Sequence, residues 1–227
     1  MSVEQTDGVF ALLLICFLFF AHIYNGGISL LKENFSLLFS SEKRHRLYQQ
    51  VTVKETLFGY FLLVQAIVLA SICVYDVFVG YEPTAEGAKS PLITILSFII
   101  TISLFLLLKD LLYKFIGYIF DIQKSMNIWR RTYFATIEVL GILYFIPTLL
   151  LVYSDFYHFQ VILFVLILFL LVQIILFYQI IIFFIREKFN FLFLIAYLCS
   201  FEILPYIFLS VGLIYLYRID VLNTLWP

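Results

Sequence analysis

Glu202 is a carboxylic acid in the middle of a long apolar segment. It is the twelfth residue of the apolar run 191–217, and Pro205 follows three positions later. An ionisable residue inside a membrane span is energetically costly and is a candidate functional group for that reason. Pro205 lacks an N–H to donate and favours a helix kink next to the acid. We expect Glu202 to be protonated or partnered, because an unpaired charge in hydrocarbon would neutralise.

Glu138 is a second acid within an apolar run, 133–153, and Pro147 lies further along that run. Two kinkable helices that each carry one acid fit two kinds of function. One is a structural polar clamp between helices, for example from Glu138 to Lys109. The other is a proton- or cation-coupled transporter or carrier, in which broken helices expose backbone carbonyls inside the membrane. We favour the clamp.

A third group of charges lies near the end of the apolar run 92–120. Lys109, Asp110 and Lys114 fall in its last third, and Asp121 follows it directly. Asp110 and Lys114 are four residues apart, in the order that favours an intrahelical ion pair. The run is longer than a bilayer requires. We therefore expect this helix to project into the cytoplasm, with Asp110, Lys114 and Asp121 at or beyond the interface.

The elements that position these residues are apolar runs of a length that can cross a bilayer, which takes about 17–25 residues in a helix. No cleavage site for a signal peptide follows the first run, and acidic residues precede it, so we interpret it as a retained helix. The sequence predicts an all-α integral membrane protein, a six-span helical bundle that forms a single domain over 1–227. The predicted spans are 8–24, 57–80, 92–120, 133–153, 159–185 and 191–217.

The composition supports this class. Hydrophobic residues make up 64% of the 227 residues and charged residues only 13%, whereas a soluble domain is about 45–50% apolar and about 25% charged. These proportions exclude a water-soluble globule, a disordered chain and a nucleic-acid-binding module. The lipid bilayer is the expected partner, with another membrane protein of the cell envelope as a second candidate.

The Lys and Arg residues between the runs predict an orientation. Ten of the 14 fall between runs one and two, three and four, or five and six, and only Lys89 and Arg218 fall on the other side. Because basic loops stay in the cytoplasm, both termini are predicted to lie outside.

The segment 27–40 is too polar to span a membrane, but its apolar residues recur at helical spacing. It predicts an amphipathic helix on the inner leaflet. A basic cluster follows at Lys43, Arg44 and Arg46, where anionic headgroups would favour it. The alternative is a docking site for a cytoplasmic partner.

The chain lacks the motifs by which membrane enzymes are recognised. It contains no His-Glu-x-x-His metalloprotease motif, no Gly-x-Ser-x-Gly elbow and no phosphate-binding glycine loop. We therefore predict no enzymatic activity, no cofactor and no metal site.

Two short segments suggest a family. The stretch Ser40-Ser-Glu-Lys-Arg-His-Arg46 and the step Glu202-Ile-Leu-Pro205, together with the length and the number of spans, resemble an uncharacterised family of polytopic inner-membrane proteins of Bacteroidota, a domain of unknown function. The resemblance implies a Gram-negative inner membrane and supplies no activity. The sequence thus favours a non-catalytic structural or accessory component of the bacterial inner membrane and cell envelope, with the coupled transporter or lipid carrier as the alternative.

Overall fold

The computed structural model describes residues 8–18, 21, 53–81, 91–153, 158–186 and 202–225. No strand occurs in these segments, so the described part of the chain is all-helical, as predicted. Its six helices are α1 (Gly8–Leu18), α2 (Val53–Tyr81), α3 (Pro91–Ile119), α4 (Gln123–Tyr153), α5 (His158–Arg186) and α6 (Leu204–Leu225).

Four of these helices, α2 to α5, are long and apolar enough to cross a membrane. The described parts of α1 and α6 contribute shorter apolar segments, Gly8–Leu18 and Leu204–Arg218. The chain is therefore compatible with a membrane-embedded protein built around four long helices. The predicted amphipathic helix at 27–40 and the basic cluster of Lys43, Arg44 and Arg46 lie outside the described residues.

Helix α4 starts ten residues before the predicted span. It begins at Gln123, whereas the apolar run begins at 133. The intervening residues, including Lys124, Arg130 and Arg131, are polar but include good helix formers. Hydropathy detects where a helix enters the bilayer and not where the helix starts, so these basic residues belong to a helix and not to a turn.

A tight turn joins α3 to α4. The N–H of Ile122 donates to the carbonyl of Gly117 at 3.0 Å, and the N–H of Asp121 donates to that of Tyr118 at 3.4 Å. This pair of bonds is the Schellman pattern, which needs a left-handed residue after the helix. Asp121 supplies it with a φ of 52°, because Asp tolerates this conformation better than most residues. The short turn holds α3 and α4 antiparallel and adjacent.

Helices α2 and α4 pack closely and run in the same direction. A Cβ atom added at Gly141 would lie only 2.6 Å from the Cβ of Ala66. Seven residues further along both helices, the Sγ of Cys73 lies 3.2 Å from the Oγ1 of Thr148. Small side chains let two membrane helices approach closely. This seam forms the centre of the bundle.

Helix α6 packs on α3 in the opposite direction. Phe98, near the start of α3, clusters with Leu213 and Tyr217 in the second half of α6. The other end of this contact lies at Lys109 and Glu202, which form the site described next.

Candidate functional site

Glu202, which lies directly before α6, forms a buried ion pair with Lys109 of α3. The Nζ of Lys109 lies 2.6 Å from the Oε2 of Glu202. The hydroxyl of Tyr113 donates to the other carboxylate oxygen, Oε1, also at 2.6 Å. Both oxygens of Glu202 therefore have a donor, and the partner that its position demands is a lysine from another helix.

Four aromatic rings surround the Lys109 ammonium. The Nζ atom lies 4.5 Å from the ring centroid of Tyr206, 4.7 Å from that of Tyr133, 5.8 Å from that of Tyr113 and 6.0 Å from that of Phe105. Ring faces attract a cation within about 6 Å, and more strongly when water is excluded. We call Phe105, Tyr113, Tyr133, Tyr206 and Glu202 the ammonium cage.

Helical spacing brings these groups together. Phe105, Lys109 and Tyr113 follow one another at intervals of four on α3, so they share one face of that helix. Glu202 and Tyr206 repeat the interval at the start of α6. The hydroxyls of Tyr133 and Tyr206 lie 3.1 Å apart and form a hydrogen bond that ties α4 to α6. Three helices therefore close the cage.

The backbone beside Glu202 is irregular. Residues 202–203 form a π-type turn directly before α6, and Pro205 is the second residue of that helix. π turns within helices often occur at functional sites. The sequence predicted a disturbed helix next to the acid, and the disturbance takes this form.

Burial decides what the pair can do. The side chain of Lys109 is 1% exposed and that of Glu202 is 4% exposed. Two charges so far from solvent are tolerated only when the geometry is good and further hydrogen bonds satisfy the remaining polar positions. Here Tyr113 and the ring faces supply those interactions. The arrangement can hold a cation firmly and can join α6 to the rest of the bundle.

Asp110, the next residue of α3, belongs to a separate network. Its Oδ1 accepts from Arg130 of α4, with the Nε at 2.7 Å and the Nη2 at 2.5 Å. Its Oδ2 lies 2.9 Å from the Nζ of Lys114, which is the predicted pair at four residues. Asn127 accepts from the Nη1 of Arg130 at 3.1 Å. We call these four residues the Asp110 network.

The exposure of this network differs from the prediction at one position. The side chain of Lys114 is 54% exposed, whereas that of Asp110 is only 16% exposed, so Asp110 is more covered than a residue at or beyond an interface would be. The reason is Arg130, which covers the carboxylate from α4. The contact was missed because Arg130 lies between two apolar runs and was counted as part of the connection between two spans.

Glu138 is not the partner of Lys109, so the clamp suggested between those two residues is wrong. Glu138 is buried, and its Oε1 lies 2.9 Å from where a Cβ of Gly59 on α2 would be. It follows Tyr133 by five residues, which is about 140° around a helix of 3.6 residues per turn. The α4 face that carries Glu138 therefore lies against α2, whereas Tyr133 contacts the ammonium cage.

Of the predicted site residues, the structure brings Glu202 and Lys109 together, and it brings Asp110 and Lys114 together. It leaves Glu138 apart from both pairs. The aromatic members of the cage were not predicted. The intervals of four that link Phe105, Lys109 and Tyr113 were a signal that could have identified two of them. Within the described segments, no group of three or more His, Cys, Asp or Glu side chains could hold a metal ion.

The described part of the chain is an all-helical bundle with four helices long and apolar enough to cross a membrane, which is the architecture of a membrane-embedded protein, and a charged pair lies buried between its helices. The chain matches the family described as a domain of unknown function (DUF4271) over residues 9–213, and it belongs to that family. No curated protein and no solved structure matches it.

Proposed function

We propose that this protein is a non-catalytic structural or accessory component of the bacterial inner membrane and cell envelope. It is a multi-pass protein of the Bacteroidota family that the sequence resembles, with six spans and without an enzymatic reaction or cofactor. Its surroundings are the lipid bilayer, and its candidate partner is another membrane protein of the envelope.

The observation that carries this proposal is that both carboxylate oxygens of Glu202 are already bound, one by Lys109 and one by Tyr113. A carrier must release and rebind its ion, so its carboxylate has to alternate between partners. Glu202 instead has one oxygen on an ammonium and the other on a hydroxyl, each at 2.6 Å, inside a ring of aromatic side chains. That geometry suits a fixed joint between α3 and α6.

One observation favours the competing function, a proton- or cation-coupled transporter or lipid carrier. The π-type turn at 202–203 and Pro205 interrupt regular helix next to a buried acid. Discontinuous helices of this kind form ion sites in secondary transporters.

A double substitution separates the two functions. Lys109→Met with Glu202→Leu replaces the pair by apolar side chains of similar size, a change that proteins often tolerate or gain stability from. A structural protein carrying both changes should fold and should complement a strain that lacks the gene. A variant that folds, as shown by thermal unfolding in detergent, and yet fails to complement overturns the structural function and supports the carrier.

Partner binding is tested separately. An accessory protein should co-purify with one membrane protein in stoichiometric amount after extraction in mild detergent. A transporter should show uptake into vesicles that depends on an ion gradient.

The proposed orientation places both termini outside and the segment around Arg46 in the cytoplasm, because ten of 14 basic residues then face inward. Single cysteines introduced near Glu86 and Asp155 should react with an impermeant thiol reagent in intact cells, and one near Arg46 should not. Reaction near Arg46 contradicts the orientation.

A further inference from the structure

The groups around Lys109 make a site for an organic ammonium ion. Tyr206 and Tyr133 place ring centroids 4.5 and 4.7 Å from the Nζ atom, and Glu202 places a carboxylate oxygen 2.6 Å from it. Aromatic faces with an anion are the groups that recognise ammonium ligands. These three residues do not belong to the helix that carries the lysine, since Tyr133 is on α4, Tyr206 is on α6 and Glu202 lies directly before α6.

We propose that the ammonium cage is a cation-binding site with Lys109 as its tethered ligand, and that it accepts a free primary alkylammonium ion once the lysine side chain is shortened. This inference rests on the proposed structural function, because it assumes that the cage keeps its shape as a fixed joint. It assigns the cage a ligand class, primary amines on a short alkyl chain.

The distances select primary ammonium over methylated ammonium. A contact of 2.6 Å between nitrogen and a carboxylate oxygen requires an N–H in that direction. Replacing the protons by methyl groups removes this donor and widens the ion towards the rings of Tyr133 and Tyr206. A quaternary ion therefore keeps the attraction to the rings and loses the hydrogen bond to Glu202.

The buried stem of Lys109 defines the size of the ligand. Its side chain is 1% exposed, so the atoms beyond Cβ are enclosed along their length. Truncation of a buried side chain leaves a cavity that the surroundings fill only in part, and enclosed cavities can bind small molecules of matching shape. Lys109→Ala removes three carbons and the nitrogen, which together correspond to n-propylammonium.

The test is thermal unfolding of the Lys109→Ala protein in detergent with increasing n-propylammonium chloride. Binding to the folded state alone raises the melting temperature with ligand concentration, and we expect a rise of about 5 °C at a hundredfold excess over the dissociation constant. Propanol, which has no charge, and tetramethylammonium, which has no N–H, should each give a smaller rise. The wild-type protein should not respond, because Lys109 fills its cage.

Lys109→Ala with Glu202→Gln is the matched control, and its response to n-propylammonium should be smaller, because the amide can accept a hydrogen bond but carries no charge to attract the ammonium. An equal response to propanol and n-propylammonium overturns the inference, as does an equal response in the two variants. If Lys109→Ala is recovered only when n-propylammonium is present during extraction, that result supports the inference. If it is recovered under neither condition, while Lys109→Met with Glu202→Leu is, the inference is wrong.

These measurements do not depend on complementation. A cage that binds no amine leaves the structural function intact if the double apolar variant complements. A cage that binds amine, in a protein whose double apolar variant folds and fails to complement, keeps the inference and removes the structural function.

Discussion

Two consecutive residues of α3 pair in different surroundings. Lys109 pairs with Glu202, directly before α6, in a cage where the two side chains are 1% and 4% exposed. Asp110 pairs with Arg130 of α4, whose side chain is 23% exposed, and with Lys114, which is 54% exposed. The Lys109–Glu202 and Asp110–Arg130 pairs join α3 to different parts of the bundle, and they differ mainly in how completely the rest of the protein covers them.

The comparison teaches that the energetic weight of an ion pair depends on what remains when one partner is removed. The protein leaves more than half of Lys114 and part of Arg130 uncovered, so each can reach a new partner outside the bundle at little cost. A charge left alone at Lys109 or Glu202 has no such replacement, and this orphaned charge dominates the cost.

The largest expected effect is the loss of one member of the buried pair. Glu202→Leu leaves the Lys109 ammonium without its anion, and we expect the free energy of unfolding to fall by about 3–5 kcal/mol. A carboxylate that made only an average interhelical hydrogen bond would cost about 0.6 kcal/mol. Thermal unfolding in detergent and the yield of monodisperse protein measure the difference.

Lys109→Met with Glu202→Leu is the control for that experiment. It should recover most of the lost stability, because no charge is left unpaired. A double variant that is as unstable as the sum of its single variants would show that the two residues act independently, against the pairing seen here.

The comparison of the ammonium cage with the Asp110 network also shows how much of the site the sequence predicts. The cost of a charge in an apolar run identifies Glu202 and Lys109 separately, and periodicity identifies the pair of Asp110 with Lys114. Neither argument identifies partners on different helices. Such partners depend on which faces of α3, α4 and α6 meet, and Lys109 and Glu202 are 93 positions apart in the chain. The clamp predicted between Glu138 and Lys109 was wrong for this reason.

The helix bounds also differ in how well the sequence predicts them. The predicted run 92–120 lies within one residue of α3, Pro91–Ile119, at both ends, because apolar residues mark this helix from start to finish. The start of α4 was placed too late, since its first residues are polar and hydropathy does not detect them. Membrane spans are therefore more predictable than the helices that extend beyond them.

A steric change at the uncharged seam between α2 and α4 gives a second, intermediate effect. Gly141→Ala places a methyl group 2.6 Å from the Cβ and 2.8 Å from the Cα of Ala66, where backbone limits adjustment. We expect a loss of about 1–3 kcal/mol in the free energy of unfolding, with no dependence on salt. Gly212→Ala on α6 is the matched control, because nothing lies within 4 Å of its added methyl group, and it should be neutral or slightly stabilising. Equal losses in the two variants would contradict the close approach of α2 and α4.

Asp110→Asn should have a smaller effect than either. The amide oxygen can still accept from Arg130, so the hydrogen bond survives and its charge assistance is lost. We expect a decrease of about 1 kcal/mol in the free energy of unfolding. Denaturation at low and high salt checks the cause, because screening should reduce the difference between Asp110→Asn and the wild-type protein. A loss as large as that of Glu202→Leu would mean that Asp110 is sealed from solvent as fully as the cage.

The smallest effect is expected at Lys114, and it makes the sharpest contrast with Lys109. Both are lysines of α3 that pair with a carboxylate, and they lie five residues apart. Lys114→Ala removes an ion pair within one helix, worth about 0.2–0.5 kcal/mol, and leaves Asp110 with both contacts to Arg130. Alanine also has a slightly better helix propensity than lysine, which offsets part of that loss. Thermal unfolding in detergent should therefore shift by no more than about 2 °C, whereas Lys109→Ala should shift it several times further. Similar shifts in the two variants would remove the distinction between a fully buried pair and a partly exposed one, on which the comparison of these two regions depends.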